Sequence, residues 1–276
     1  MILTLDKINK SFGEKILLRD VVLYINEGDK IGIVGINGTG KSTLLKIAAQ
    51  IEDADRGEII KNQSDRICYL PQNPVFEQNT SVLEQVFLNA STDTKQLMEY
   101  EAKTILNKLG ITEFDKDVNL LSEGQRKRVA IAAALVNPCE LLILDEPTNH
   151  LDNDMILWLE KYLIKYTGSI LMVTHDRYFL DRVSNKIVEL DKGNLYTYEG
   201  NYTKFLELKS MREESDASSE RKRQSLFKKE LAWIQRGARA RGTKAKGRIE
   251  SFERLSEKLS SSEVEDKLEL SSVSSR

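Results

Sequence analysis

A chain of 276 residues, 40% hydrophobic and 30% charged, suits one large globular domain with a helical, solvated appendage. It has no run of about 18 apolar residues, so no membrane-spanning helix is expected, and the opening MILTLDKINKSF lacks the basic-then-apolar pattern of a secretory signal. The net charge of −2 is unevenly spread: Arg221 to Lys258 hold 13 Lys/Arg against 4 Asp/Glu, a local +9 that leaves −11 elsewhere, so a polyanionic partner would be met by that segment alone.

Residues 1 to about 200 read as α/β. Short β-rich runs (KIGIV, RICYL, LLILD, ILMVT and KIVEL) alternate with helical stretches, which argues for a mostly parallel sheet. The first run leads into GINGTGKST, Gly35 to Thr43, and then the helical TLLKIAAQ. This fits G-x-x-x-x-G-K-[ST] between strand and helix, so we assign Gly35, Asn37, Gly38, Gly40, Lys41, Ser42 and Thr43 to nucleotide binding. Glycines let backbone N–H groups converge on phosphate oxygens, and the helix N-terminus favours the negative charge. Lys41 would reach the β and γ phosphates of ATP, and the Ser42 hydroxyl would ligate Mg²⁺.

Further along, Tyr69-Leu70-Pro71-Gln72 places a glutamine after a strand, and SVLE at Ser81 is a capping box. A helix through EAKTILNKL follows; then Leu121-Ser122-Glu123-Gly124-Gln125 opens another, with Ser122 and Gln125 again spaced as a capping box. LLILDEP ends an apolar strand in two acids. Asp145 would orient the metal through water, and Glu146, one residue on, would act on the attacking water as general base. Thr174-His175-Asp176 follows the strand ILMV, and Gly193 with Asn194 signals a hairpin. Cys68 and Cys139 have no CxxC partner and are expected to be reduced, buried thiols.

From about Tyr202 the character changes. Residues 202–236 and 245–268 are charged and rich in helix formers, with Gly237, Gly242 and Gly247 clustered between and within them, so an antiparallel helical hairpin is expected. Its tip carries Arg236, Arg239, Arg241, Lys244, Lys246 and Arg248 without an acid among them, a spacing suited to phosphate backbones and to RNA met by shape. Trp233 is expected to pack between the two helices. The Ser-rich end KLELSSVSSR is expected to fray.

GINGTGKS, YLPQ, LSEGQ, LLILDEP and THD, in that order, resemble the ATP-binding cassette family over about residues 1–200. The resemblance implies an α/β P-loop NTPase domain, followed here by an α-helical hairpin. It implies that Gln72 touches Mg²⁺ and senses the γ-phosphate, that His175 is the switch histidine, and that Ser122, Gly124 and Gln125 bind the γ-phosphate of ATP held by a second cassette. Asp152 matches a loop aspartate that crosses the dimer interface, and Phe12 is chosen as the aromatic stacked on adenine. Glu123 departs from the usual LSGGQ, and helix geometry is expected to turn it to solvent.

DEPTNHLD, VTHDRYFLDRV, YEGNYTKFLELK and KKELAWIQRGARARGTKAKGRIESFERL resemble the ABC-F branch, nearest its Uup-like group. That branch consists of cytoplasmic proteins without membrane domains, whose two cassettes are joined by a helical hairpin reaching tRNA and ribosomal RNA; some are linked to DNA. The resemblance divides the chain into an ATPase domain (1–200), a basic linker (201–268) and a tail (269–276) before a second cassette, so an N-terminal half is expected, slow in hydrolysis unless it homodimerises. The 50 positions from Gln72 to Ser122 leave little room for the helical arm usual in the branch. The implied function is Mg-ATP hydrolysis acting on ribosome and tRNA. The alternatives are action on branched DNA, service as the ATPase subunit of a membrane transporter, and a fragment that binds ATP without turnover.

Overall fold

The computed structural model describes residues 1–88, 90, 92–215 and 218. The expected hairpin beyond 215 lies outside the described residues, as do its basic residues Arg236, Arg239, Arg241, Lys244, Lys246 and Arg248, Trp233 and the tail. The chain divides into the units Met1–Leu206 and Glu207–Arg276; of the second, 207–215 are helical.

In chain order the first unit runs β1 (Leu3–Phe12), β2 (Lys15–Ile25), β3 (Lys30–Val34), α1 (Lys41–Ala48), β4 (Arg56–Lys61), β5 (Ile67–Leu70), α2 (Val82–Val86) and α3 (Thr92–Lys108). It continues with α4 (Glu123–Val136), β6 (Leu141–Asp145), α5 (Asn153–Lys165), β7 (Ser169–Val173), α6 (Arg177–Val183), β8 (Lys186–Asp191) and β9 (Asn194–Glu199).

The larger sheet has the order β5-β6-β7-β3-β8-β9, parallel from β5 to β8 and antiparallel at β9. All five expected runs are its strands. Every residue of β6 and β7 is buried, as a parallel sheet covered on both faces requires. The alternation within them sorts the faces. Leu142, Leu144, Ile170 and Met172 pack with residues of α2 to α6. Leu141, Ile143, Leu171 and Val173 pack instead with Leu44, Leu45 and Ile47 of α1. Each such fully buried side chain contributes about 1.5–3 kcal/mol of transfer free energy.

A second sheet, β2-β1-β4, is wholly antiparallel and was not foreseen. Leu3, Leu5, Ile8, Leu18, Val21 and Leu23 close the same core from its side. Its pairing slips repeatedly, between Leu5 and Ile8 and again at Lys10 against β2, and between Asp6 and Asn9 against β4.

Local expectations were met at several points. Ser81 caps α2 with Glu84 in a capping box, and α3 fills the segment before the LSEGQ helix. The β8–β9 hairpin turns on Lys192 and Gly193, at φ 49 and 79, because Asp191 pairs with Asn194. That is one residue earlier than Gly193-Asn194, and two positive φ values suit the twist of a two-residue turn. Cys68 and Cys139 are free thiols; the second is buried against the Tyr166 hydroxyl at 3.2 Å, whereas the first is half-buried, short of the burial expected of both.

Candidate active site

The ends of β3, β6 and β7 and the start of α1 meet at a cleft of about 360 Å³. Asn37, Gly38, Gly40, Lys41, Ser42, Thr43, Gln72, Asp145, Glu146 and His175 line it, together with Leu17 and Val173. Thus the parallel sheet gathers, from four stretches of sequence, most of the residues assigned to ATP and Mg²⁺.

The phosphate loop has the backbone its glycines permit. Gly35, Gly38 and Gly40 stand at φ 155, 77 and 105, where side chains are rarely tolerated. A methyl at Gly35 would lie 2.5 Å from the Leu190 carbonyl, and one at Gly40 would lie 3.0 Å from Leu17 Cβ. Gly40 precedes α1 and offers it no side-chain cap, so the first-turn N–H groups face the loop as donors. Lys41 donates to the Gly35 and Ile36 carbonyls at 2.9 and 3.0 Å. Burial lowers its pKa, against the charges of Glu146 and Asp145.

Ser42 Oγ lies 3.3 Å from Asp145 Oδ1. Asp145 is 1% exposed. Burial raises its pKa, while the Ser42 hydrogen bond and then Lys127, Lys46 and Lys41 oppose the rise. A hydroxyl, one buried carboxylate and the nearby Gln72 fit Mg²⁺, which is held by few protein oxygens plus phosphates.

Glu146 stands at φ 52 and is 4% exposed. For a residue with a long side chain this conformation is strained, a feature that gathers at functional sites. Its N–H donates to the Val173 carbonyl at 2.8 Å, which ties it to β7. Oε2 accepts from the His175 N–H at 3.3 Å, and Oε1 is 3.4 Å from His175 Nε2. Burial raises the Glu146 pKa, with His175 opposing. Behind them, Asp176 caps α6 by accepting from the Phe179 N–H at 3.0 Å, and the Thr148 and Thr174 hydroxyls meet at 2.9 Å.

Other assigned residues stand apart from this cleft. Ser122 caps α4, its hydroxyl accepting from the Gln125 N–H at 3.3 Å while its own N–H donates to Gln125 Oε1 at 2.9 Å. Neither they nor Gly124 line the cleft. His150 Cβ would lie 3.5 Å from a methyl at Gly124. Glu123 is exposed, as expected, and borders a neighbouring cleft of about 370 Å³ with Gln72, Arg126, Lys127 and His150. Asp152 caps α5 through the Met155 N–H at 2.9 Å. Phe12 is 55% exposed at the end of β1 and outside the cleft lining. Its cross-strand partner Lys15 nevertheless donates to the Gly38 carbonyl at 2.8 Å.

Two participants escaped the sequence. Leu17 on β2 walls the cleft beside Gly40. Lys127 on α4 is 2% exposed and donates to the carbonyls of Pro71, Gln72 and Asp145 at 2.7, 3.0 and 3.1 Å. Burial brings its pKa down to about 8 against the pull of Asp145 and Glu146. A lysine at i with Ile131 and Ala134 at i+4 and i+7 was the available signal, because that spacing lies on one helix face.

Two family models, both described as "ABC transporter", match residues 18–149 and 188–271. The "Uncharacterized ABC transporter ATP-binding protein YfmR" of Bacillus subtilis is 45% identical over 93% of this chain and 47% of its own length. The "Energy-dependent translational throttle protein EttA" of Mycobacterium tuberculosis is 36% identical over 92% of this chain and 52% of its own. The chain therefore spans about half the length of these relatives. Among solved structures, the dimeric post-hydrolysis state of the ATP-binding cassette MJ0796 with ADP and phosphate superposes with a TM-score of 0.62 at 26% identity, over 72% of this chain and 98% of that one. Among the described residues no helix is long and apolar enough to cross a membrane. On these matches and the fold they share, the chain belongs to the ATP-binding cassette family.

Proposed function

We propose that this chain is an ABC-F cassette that binds and hydrolyses Mg-ATP and acts on the ribosome and tRNA through its basic linker. The observation that carries the hydrolytic half is the pairing of buried Glu146 with His175 beside Ser42 and Asp145. Glu146 accepts a proton from water, whose oxygen attacks the γ-phosphorus; ADP departs and inorganic phosphate forms. Its burial makes the carboxylate more basic than usual, and His175 holds its orientation. Lys41 lines the cleft and would reach the β and γ phosphates, with Gly38 and Gly40 giving backbone access. Ser42, Gln72 and Asp145 would hold Mg²⁺, which would supply positive charge beside the phosphates. Ser122, Gly124 and Gln125, outside this cleft, would serve ATP held by a second cassette, which suits their place at the exposed N-terminus of α4.

The ribosomal half is supported by relatives whose printed name is a translational throttle and by the +9 segment from Arg221 to Lys258. Under this proposal residues 1–200 form the ATPase domain, 201–268 the linker, and Arg236, Arg239, Arg241, Lys244, Lys246 and Arg248 the RNA contacts. Cosedimentation of the Glu146→Gln variant with ribosomes tests it. ATP-dependent, salt-sensitive pelleting, lost when Arg239, Arg241 and Lys244 become Ala, is the expected result. Pelleting indifferent to both ATP and those three substitutions would overturn the ribosomal assignment.

A second proposal, the ATPase subunit of a transporter, is favoured by the printed description of the matched models and of the 45% identical relative. Copurification with an integral membrane protein, without ribosomes, would decide for it.

A further inference from the structure

Lys127 lies five positions after Ser122 on α4, on the face that Ile131 and Ala134 bury. A lone ammonium at 2% exposure would be costly. Here its three N–H donors meet three carbonyl oxygens, at 2.7, 3.0 and 3.1 Å, so its hydrogen-bonding capacity is filled. The acceptors are not on its own helix. Pro71 and Gln72 follow the last residue of β5, where proline offers no N–H to extend a strand. Asp145 ends β6. One cation thus ties the start of the Ser122 helix to the segment carrying Gln72 and to the strand end carrying Asp145 and Glu146.

We propose that Lys127 is a positioning residue that fixes Gln72 relative to Asp145 and couples both to α4, so that a shift of the Ser122 end is passed to the Mg²⁺ side of the cleft. The geometry favours this over a plain fold-stabilising role. A core position needing only volume takes a leucine or methionine at less desolvation cost, and of the three acceptors Gln72 and Asp145 line the cleft themselves while Pro71 immediately precedes Gln72. The proposal presupposes that the cleft holds Mg-ATP.

The test uses Lys127→Met, which keeps length and removes the donors, and Lys127→Arg, which keeps charge and donors. Hydrogen exchange on the nucleotide-free protein should show the amides of Gln72 and Asn73 opening about tenfold faster in Lys127→Met, with those of α1 unchanged. Affinity for a fluorescent ATP analogue in EDTA should stay within about twofold, because the phosphate loop is untouched. The Mg²⁺ concentration that half-saturates the analogue's response should rise about 10- to 100-fold, as when groups that orient metal ligands are lost. Lys127→Arg should recover most of both effects. A merely structural lysine would give uniformly faster exchange, a lower Tm and an unchanged Mg²⁺ midpoint, and that outcome overturns the proposal. Should Lys127→Met not fold, Lys127→Gln, with two donors and no charge, is judged by the same two readouts. If the parent protein fails to bind the analogue, the nucleotide assignment falls by itself; unchanged exchange at Gln72 in a parent that does bind it defeats the role of Lys127 alone.

Discussion

The two sheets share one core and obey different rules. In the parallel sheet every residue of β6 and β7 is buried, and three strand ends carry the phosphate loop, Asp145 with Glu146, and His175. In the antiparallel sheet β2 leaves Lys15, Ile16, Arg19, Asp20 and Tyr24 exposed, and it reaches the cleft only through Leu17 and Lys15. The first sheet gathers the candidate site at its strand ends, where neighbouring strands diverge into loops. The second supplies a wall.

The contrast predicts where substitutions act. The largest effect falls at the end of β6. Glu146→Gln is isosteric and should leave nucleotide affinity within a few-fold, while single-turnover hydrolysis falls by about 10²–10⁴, the usual worth of a general base. Turnover at the parent rate would remove Glu146 from the chemistry. Next comes the interior of the same sheet. Leu142→Ala removes a side chain with no exposure and should lower unfolding free energy by about 2–5 kcal/mol in urea titration. A loss under about 1 kcal/mol would mean that the α-helical layer collapses into the gap.

The same difference explains what the sequence disclosed. KIGIV, LLILD and ILMVT are short apolar runs because both their faces are covered, so burial wrote itself into composition. The motifs at their ends needed only the strand to be recognised, which is why ten residues lining one cleft were named in advance. LTLDKINKSF hides its strand. Register slips interrupt the alternation after Leu5, so Asp6, Lys7, Asn9 and Lys10 break the period of two on which recognition depends. Leu17 was missed with the strand that holds it. Lys127 was missed for another reason: its spacing from Ile131 and Ala134 signals a buried face, but its partners are backbone carbonyls, which no side-chain pattern records. The turn between β8 and β9 was placed one residue late because Gly193 and Asn194 both favour positive φ, while Lys192 takes it under constraint from the pairing.

A smaller effect is expected where the antiparallel sheet slips. Gly57 of β4 stands at φ 102, and a methyl there would lie 2.5 Å from the Lys7 carbonyl and 2.7 Å from that of Asp6. Gly57→Ala should therefore cost about 1–3 kcal/mol in unfolding free energy. The nucleotide affinity of the folded protein should be unchanged, since β4 lines no part of the cleft. A parallel loss of affinity would show that this sheet does more than close the core.

The smallest effect separates wall from chemistry most cleanly. Lys15 is exposed and reaches the phosphate loop by a single bond to the Gly38 carbonyl at 2.8 Å. Lys15→Met keeps a stem of similar length and removes that bond. Because an exposed bond contributes little to folding, Tm should move by no more than about 1–2 °C. The Gly38 peptide, however, would lose a restraint on one side of the loop that Lys41, Ser42 and the N-terminus of α1 hold on the other. A loosened loop must be ordered again when it meets phosphate, so ATP affinity should drop about threefold, near 0.6 kcal/mol. Hydrolysis from the bound state should not change, because Lys15 is not among the residues that line the cleft. A change in turnover without a change in affinity would mean that the antiparallel sheet shapes the transition state as well as the bound ground state, and the division between the two sheets would no longer hold.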